Sequence, residues 1–394
     1  MLDLQPIIDE LNADAKARAA DGWETYWRNC GAYALPQDSS FDTLSLTGSI
    51  SKVTATVSSG MAAVNKSKTL YDQTSLWAIE RLTAGLITLK TPENGTWHNL
   101  SVDDPFGYEE THEEKVWLER NRDYLFKVRA NPRSGYWPAH KATIRSMTAF
   151  GDGFMFVEEK FGDNRTPWVY EHVPLGECYH GVDSYGMSNR MFRAREMEAG
   201  QIVQRWGAEN VSAATLAKAN DPKKRNDKVT VVHAVVQRKS QLQNRIGVMG
   251  APWVGVFFEY EAKTVLQESG FFEFPYIRHA WSRIGAKAYS EGPMALALAE
   301  IKSLNELAKN DLISSQQAGR PPLATVSEQF TRVNTNAGAV NAGLINGDGQ
   351  LLVKPIMTHT RPDFAQAVLE QRRSAVREML YLNLWQILIE NPQM

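Results

Sequence analysis

The sequence predicts an α+β protein with more than one subdomain, and three observations carry that expectation. Two stretches in the last third, 294–317 and 363–390, hold apolar residues at helical spacing with no internal proline or glycine. From Phe154 to Glu268 the pattern changes to period-two runs rich in β-branched and aromatic residues. A chain of 394 residues with 43% apolar, 22% charged and 10% aromatic content can also bury a sizeable core.

Taken in order, Leu4 to Arg28 carries Ile7, Ile8, Leu11, Ala15, Ala19 and Trp23 at helical spacing, broken near Asp21-Gly22. Ala34-Leu35-Pro36 ends that pattern, and Tyr33 to Lys52, rich in Ser, Thr, Gly, Pro and Asp, is expected as an irregular arm. Tyr71 to Leu86 forms a helix with apolar positions at 76, 79, 82 and 86; Thr91-Pro92 ends it, and Thr96 to Leu100 is expected as a short strand. Helices follow over Glu109–Ala130 and Trp137–Phe150, then a tight turn at Gly151-Asp152-Gly153. Phe154–Glu159 and Pro167–Val173 are expected to pair as strands. Short helices over Glu198–Trp206 and Ser212–Ala219, a basic loop at Lys223-Lys224-Arg225, and strands over Val229–Arg238, Trp253–Tyr260 and Thr264–Glu268 complete the body.

The last third is helix, insert, helix. Pro293 suits a first helical turn, and Gly319 with Pro321-Pro322 stops the helix that follows. Ala297, Ile301, Leu304, Ala308 and Leu312 share one stripe, with Lys302, Glu306 and Lys309 elsewhere, and small residues at 295, 297 and 299 allow close helix approach. The second helix is expected from Arg361 to Glu390, about 30 residues or roughly 45 Å, with Phe364, Val368, Ala375, Met379 and Leu382 as its apolar seam and Arg372, Arg373 and Arg377 off it. The insert sets turn-formers at Asn334–Gly338, Asn341-Ala342-Gly343 and Asn346–Gly349 around Leu344-Ile345 and Leu351-Leu352-Val353, which suggests short strands.

Chemistry-bearing patterns are sparse. The net charge of −2 gives no general basic field. Cys30 and Cys178 alone are too few for a disulfide framework and fit a reducing compartment. The first residues lack a signal peptide's basic and apolar regions, and no apolar run reaches the roughly 20 residues of a membrane span, so a soluble intracellular protein is expected. Lys90-Thr91 lacks the glycines of a phosphate-binding loop, Ala84 and Leu89 standing in their places. His172, Cys178 and His180 offer metal-ligand atoms without an evident fourth ligand, and Asp103-Asp104 before Pro105 suits a helix start. No nucleophile, base and oxyanion site assemble, so no catalytic residue, metal or cofactor is expected.

Ordered landmarks run along nearly the whole chain: Trp27–Pro36, Tyr71-Asp72-Gln73-Thr74, Leu82–Leu86, Thr91-Pro92, Trp97–Leu100, Pro174–Tyr179, Gln237-Arg238, Tyr289–Pro293, Ala299–Asn305 and Pro321-Pro322-Leu323. In that order and spacing the chain resembles the portal proteins, or head-to-tail connectors, of short-tailed (podovirus) bacteriophages. The resemblance implies a portal fold: an α/β wing over 1–288, a first stem helix over 289–318, a small α/β clip over 319–360 and a second stem helix over 361–391. Residues 392–394 would begin a channel loop and C-terminal crown that this sequence does not contain.

The same resemblance implies a non-enzymatic ring of twelve copies at one capsid vertex of the virion, assembled in the host cytoplasm, without a membrane. Its partners would be double-stranded DNA in the channel, the major capsid protein and scaffold, the terminase large subunit and a tail adaptor. Lys302, Lys309, Arg372, Arg373 and Arg377 are then expected at the DNA channel or subunit contacts. Ala297, Ile301, Leu304, Ala308, Val368, Ala375 and Met379 are expected to pack the stem, and Pro321, Pro322, Asn336, Asn341, Leu344 and Asn346 to meet partners at the clip. Near-neutral charge suits a conduit, since each ionic phosphate contact adds affinity that opposes sliding. The rival readings are a tail or adaptor protein and a phage-encoded hydrolase.

Overall fold

The computed structural model describes residues 3–36, 69–102, 109–159, 166–238, 250–283, 285, 287–325, 333, 334, 336, 339–356 and 362–383, with side chains of the last segment from 366 onward. It divides into two compact units, Met1–Leu298 with Arg377–Met394, and Ala299–Val376. Most of the arm expected over Tyr33–Lys52, the Asp103-Asp104 helix start, the Phe364 side chain and 384–391 lie outside the described residues.

The first unit opens with helices α1 (Gln5–Ala20) and α2 (Trp23–Ala34), separated at Gly22, whose φ of +79° suits a residue without Cβ. Helices α3 (Thr74–Lys90), α4 (His112–Ala130) and α5 (Tyr136–Phe150) follow. A reciprocal capping box between Thr111 and Glu114 starts α4, and Gly151, at φ +102°, ends α5. Strands β1 (Asp152–Glu159), β2 (Trp168–Val173), β3 (Cys178–Val182) and β4 (Ser188–Glu198) come next, then α6 (Ala199–Trp206) and α7 (Ala213–Asn220). Strands β5 (Lys228–Gln237), β6 (Trp253–Glu259), β7 (Thr264–Phe271) and β8 (Tyr276–Ala280) complete the body. Together these make the mixed helix and sheet body that the sequence predicts.

The strands build two sheets, one ordered β2-β1-β8 and the other β3-β4-β5-β6-β7. All pairings are antiparallel, with Phe154 opposite Val173 and Arg278, and His233 opposite Arg193 and Phe257. The larger sheet is covered on both faces. Ile7, Ile8, Leu11 and Ala15 of α1 pack on Phe192, Ala194, Val232, Ala234, Val256 and Phe258, while Ile202 and Trp206 of α6 pack on Val229, Val231, Phe257 and Leu266. Alternate residues of β5 thus serve opposite cores, as the period of two demands.

Several expectations need correction. Thr96 to Leu100 is not a strand: Trp97 packs against Tyr136, Ala139 and Met155, and His98 stacks on Phe126 at 4.6 Å, so side-chain burial rather than a ladder fixes it. The turn expected at Gly151–Gly153 is a helix cap alone, because β1 already begins at Asp152. Strands β3, β4 and β8 are additions to the strands expected from the sequence. In β4, Phe192 and Ala194 face one core while Arg193 and Arg195 face the other side and pair with Glu171, so a half-buried charged face passes for a solvated one.

The chain then forms α8 (Pro293–Gly319), β9 (Leu323–Thr325), β10 (Val353–Pro355) and α9 (Pro362–Met379). On α8 Ala297, Ile301 and Leu304 are buried and Ala308 is half-buried, but Leu312 is 47% exposed. Helix α9 ends at Met379, and a turn at Leu380-Tyr381 interrupts the continuous helix expected there before helical residues resume at Leu382-Asn383. Tyr381 takes a left-handed φ of +59°, a conformation that costs a non-glycine residue about 1 kcal/mol or more. Burial of Leu380 and Leu382 and a ring contact between Tyr381 and Trp281 at 6.0 Å offset it. The buried positions also differ from the expected seam: Leu369, Val376 and Leu380 are buried, Val368 and Ala375 half-buried, and Met379 is 40% exposed.

Candidate functional site

Within the first unit Tyr289-Ser290-Glu291-Gly292-Pro293 leads into the long helix α8, and buried polar groups fasten that segment. Asp152, fully buried at the start of β1, takes Arg278 Nε on Oδ1 at 2.7 Å and the Ser290 backbone N–H on Oδ2 at 2.6 Å. Arg278 also donates to Ser290 Oγ at 2.9 Å. Burial pushes the Asp152 carboxyl above the usual carboxylate range, with the Arg278 guanidinium pulling the other way. The Tyr289 hydroxyl accepts from His180 N at 3.0 Å and donates to Cys178 O at 3.3 Å. Its ring meets Trp27 edge-on at 4.8 Å and Trp23 at 5.8 Å.

Sequence punctuation makes this convergence possible. A Cβ on Gly151 would lie 2.1 Å from Ser290 O, so only glycine lets the end of α5 approach so closely. The Gly292 N–H reaches the Tyr26 hydroxyl at 3.4 Å, and burial raises that phenol's pKa. Arg18, fully buried, holds the facing corner: it pairs with Glu24 at 3.0 Å, donates to Cys178 O at 2.6 Å, and lies 3.9 Å from the Tyr179 ring centroid. Strands β1, β3 and β8 and helix α2 are thus tied to the segment Tyr289–Gly292 that immediately precedes α8. Asp152, Arg278, Ser290 and the Tyr289 hydroxyl are hydrogen-bonded to one another or to backbone, which suits a mechanical anchor.

Among the described residues of the second unit, Arg372, Lys309 and Arg373 lie beside carboxylates. Arg372 donates through one nitrogen to both carboxylate oxygens of Glu300, at 2.7 and 2.8 Å, which raises its pKa. Lys309 lies 3.7 Å from Glu306 and Arg373 3.6 Å from Glu370. Lys302 is half-buried, as is Arg377 in the first unit.

The insert is built by turns. Strands β9 and β10 pair antiparallel, Leu323 opposite Pro355. Asn346 Oδ1 accepts from Asp348 N at 2.9 Å and Gln350 N at 3.1 Å, closing the loop that brings Ile345 opposite Leu351. Asn341 exchanges two hydrogen bonds with the Asn334 backbone, at 2.9 and 2.8 Å, and the Asn336 N–H is taken by Asn334 Oδ1. Asn341 and Asn346 therefore spend their side chains on the loop itself. Pro321 and Leu344 are half-buried and Pro322 and Asn336 exposed. The exposed apolar groups are others: Val340 at 94%, Ile345 at 61%, Leu351 at 56% and Ile356 at 49%. Isolated apolar residues among turn-formers were the available signal for them.

The candidate metal ligands are not brought together. His172 Nδ1 pairs with Thr143 Oγ1 at 3.1 Å, Cys178 Sγ donates to Pro174 O, and His180 joins Ala288 O and Ser188 Oγ. Burial holds His180 neutral, its pKa lowered to about 3, and pushes the Cys178 thiol up. Among the described residues no group of three His, Cys, Asp or Glu is placed to hold a metal ion. Lys90-Thr91 lies at the end of α3, where the Thr91 N–H bonds Ile87 O.

Comparison with known proteins decides the family. The family described as bacteriophage head to tail connecting protein matches residues 9–394. The chain belongs to that family. It is 24% identical over 327 residues to the portal protein of Salmonella phage epsilon15, an overlap of 81% of this chain and 57% of that protein. The chain thus spans little more than half the length of that relative. Among its described residues no helix is long and apolar enough to cross a membrane.

Proposed function

We propose that this chain is a structural portal subunit. Copies of it form a ring at one capsid vertex that conducts double-stranded DNA during packaging and ejection and holds the packaging motor and tail. The family match over residues 9–394 is the observation that carries this reading. On it, 1–288 serve as wing, 289–318 and 361–391 as the two stem segments, the second interrupted at Leu380-Tyr381, and 319–360 as clip. The anchor at Tyr289–Pro293 supports the assignment, because a helix lining a conduit must not swivel where it leaves the body. The 27 residues of α8 correspond to about 40 Å of helix.

Pairing of Arg372, Arg373 and Lys309 with carboxylates supports a wall that DNA slides past without being gripped. Exposure of Val340, Ile345, Leu351 and Ile356 supports the insert as the surface that meets terminase or tail adaptor. Twelve copies and a non-enzymatic role belong to the same proposal. Negative-stain images of the purified chain test it: closed rings with about twelvefold symmetry are expected, and particles of monomer size alone, at every concentration tried, overturn it.

A further inference from the structure

Between the two sheets of the first unit lies a small cavity that the portal reading does not use. Arg193, Arg195, Arg205, Glu171, His233 and Phe257 are among its lining residues, and it leaves about 10 Å³ for the centre of a water-sized sphere. That is about the room of one water-sized occupant, and too little for phosphate. Three guanidinium groups face one carboxylate there. Glu171 Oε1 already accepts from Arg193 at 2.7 Å and from Arg195 at 3.2 Å. Arg193 has a second partner in Glu177 at 2.9 Å, and Arg205 reaches Glu158 at 3.4 Å. Among the described residues Arg195 has one ion pair, shared with Arg193, and burial followed by repulsion from Arg193 lowers its pKa.

The second observation is independent of the arginines. His233 is 3% exposed, stacked on Phe257 at 3.9 Å, and its Nε2 is buried without a hydrogen-bond partner. Its Nδ1 lies 2.6 Å from the Tyr276 hydroxyl, whose proton burial retains. In the tautomer in which that hydroxyl donates to Nδ1, the imidazole proton sits on Nε2 as a buried donor without an acceptor. Such a group costs free energy until something accepts from it. Guanidinium donors that outnumber the acceptors lining the cavity, and space for one atom, point to an electron-rich occupant.

We propose that this cavity binds a single halide-sized anion, chloride in ordinary buffers, between Arg195, Arg205 and the Nε2–H of His233. The ion joins β2, β4, β5 and α6 and so ties the smaller sheet to the larger. Crystals of the full chain grown in bromide test it by anomalous scattering. A bromide peak in the cavity is expected, lost in Arg195→Gln. The parent's melting temperature should be about 2–4 °C higher in chloride than in gluconate at matched ionic strength. Absence of the peak in the parent, or a peak unchanged in Arg195→Gln, overturns the site. Equal melting temperatures in the two salts overturn its stabilising role.

Discussion

Asp152 and Arg278 stand 126 positions apart and, with Arg18–Glu24, form one of the two most enclosed ion pairs described in the chain, with side chains 0% and 4% exposed. Removing one partner of such a pair leaves an uncompensated buried charge, which typically costs about 3–5 kcal/mol. Arg278→Ala is therefore expected to lower unfolding free energy by about that amount at neutral pH, read from denaturant titration. The loss depends on pH in a fixed direction. Without Arg278 the Asp152 carboxyl keeps the upward push of burial and loses its main opposing attraction, so its folded pKa moves further above the unfolded value of about 3.9. A raised acid contributes stability that is fully present below the unfolded value and lost as pH climbs through the folded one. The deficit of Arg278→Ala against the parent should thus widen from about pH 4 to pH 7, and a deficit independent of pH over that range refutes the assignment. Nothing in local spacing announces this pair. The sequence reveals Gly151, Asp152 and the Tyr289–Pro293 landmark separately; only the approach of α5 to the start of α8 joins them.

Elements were legible in proportion to how far local pattern decides them. The strands β5 and β6 follow from β-branched and aromatic runs, and α8 from its proline start and glycine stop. Reading failed where tertiary contact overrides pattern. Continuous helical spacing through Leu380-Tyr381-Leu382 predicts no break, yet burial of both leucines and the Trp281 contact hold Tyr381 left-handed. The apolar seam of α9 was misread for a related reason. Val368, Ala375 and Met379 are as well spaced as Leu369, Val376 and Leu380, so periodicity leaves the choice of face open and packing makes it. In the unassembled chain Leu380→Ala should cost about 2–5 kcal/mol, whereas Met379→Ala, at an exposed position, should stay within about 0.5 kcal/mol. Urea unfolding of both variants checks the assignment, and equal losses would restore the expected seam.

At the scale of the whole molecule, a net charge of −2 is shared by many proteins that never meet DNA, so its value depends on how the charges are arranged. Among the described residues of the second unit Lys309, Arg372 and Arg373 each lie beside a carboxylate, and the Arg372–Glu300 contact is the shortest of the three. A conduit needs cations numerous enough to accept the duplex and neutralised enough to release it, because each phosphate neutralised steepens the salt dependence of binding by about 0.9 in log–log slope. If Glu300 serves to mask Arg372, then Glu300→Gln should leave folding and ring formation intact and expose one guanidinium per subunit. Binding of a short duplex, followed by fluorescence anisotropy over a salt series, should then tighten and its slope should steepen by about one unit for each unmasked arginine that meets a phosphate. A parent ring that already binds tightly with a steep slope, or a Glu300→Gln ring with an unchanged slope, argues that Arg372 faces a neighbouring subunit and not the channel. The two fates left open for this arginine by the sequence are separated by that slope.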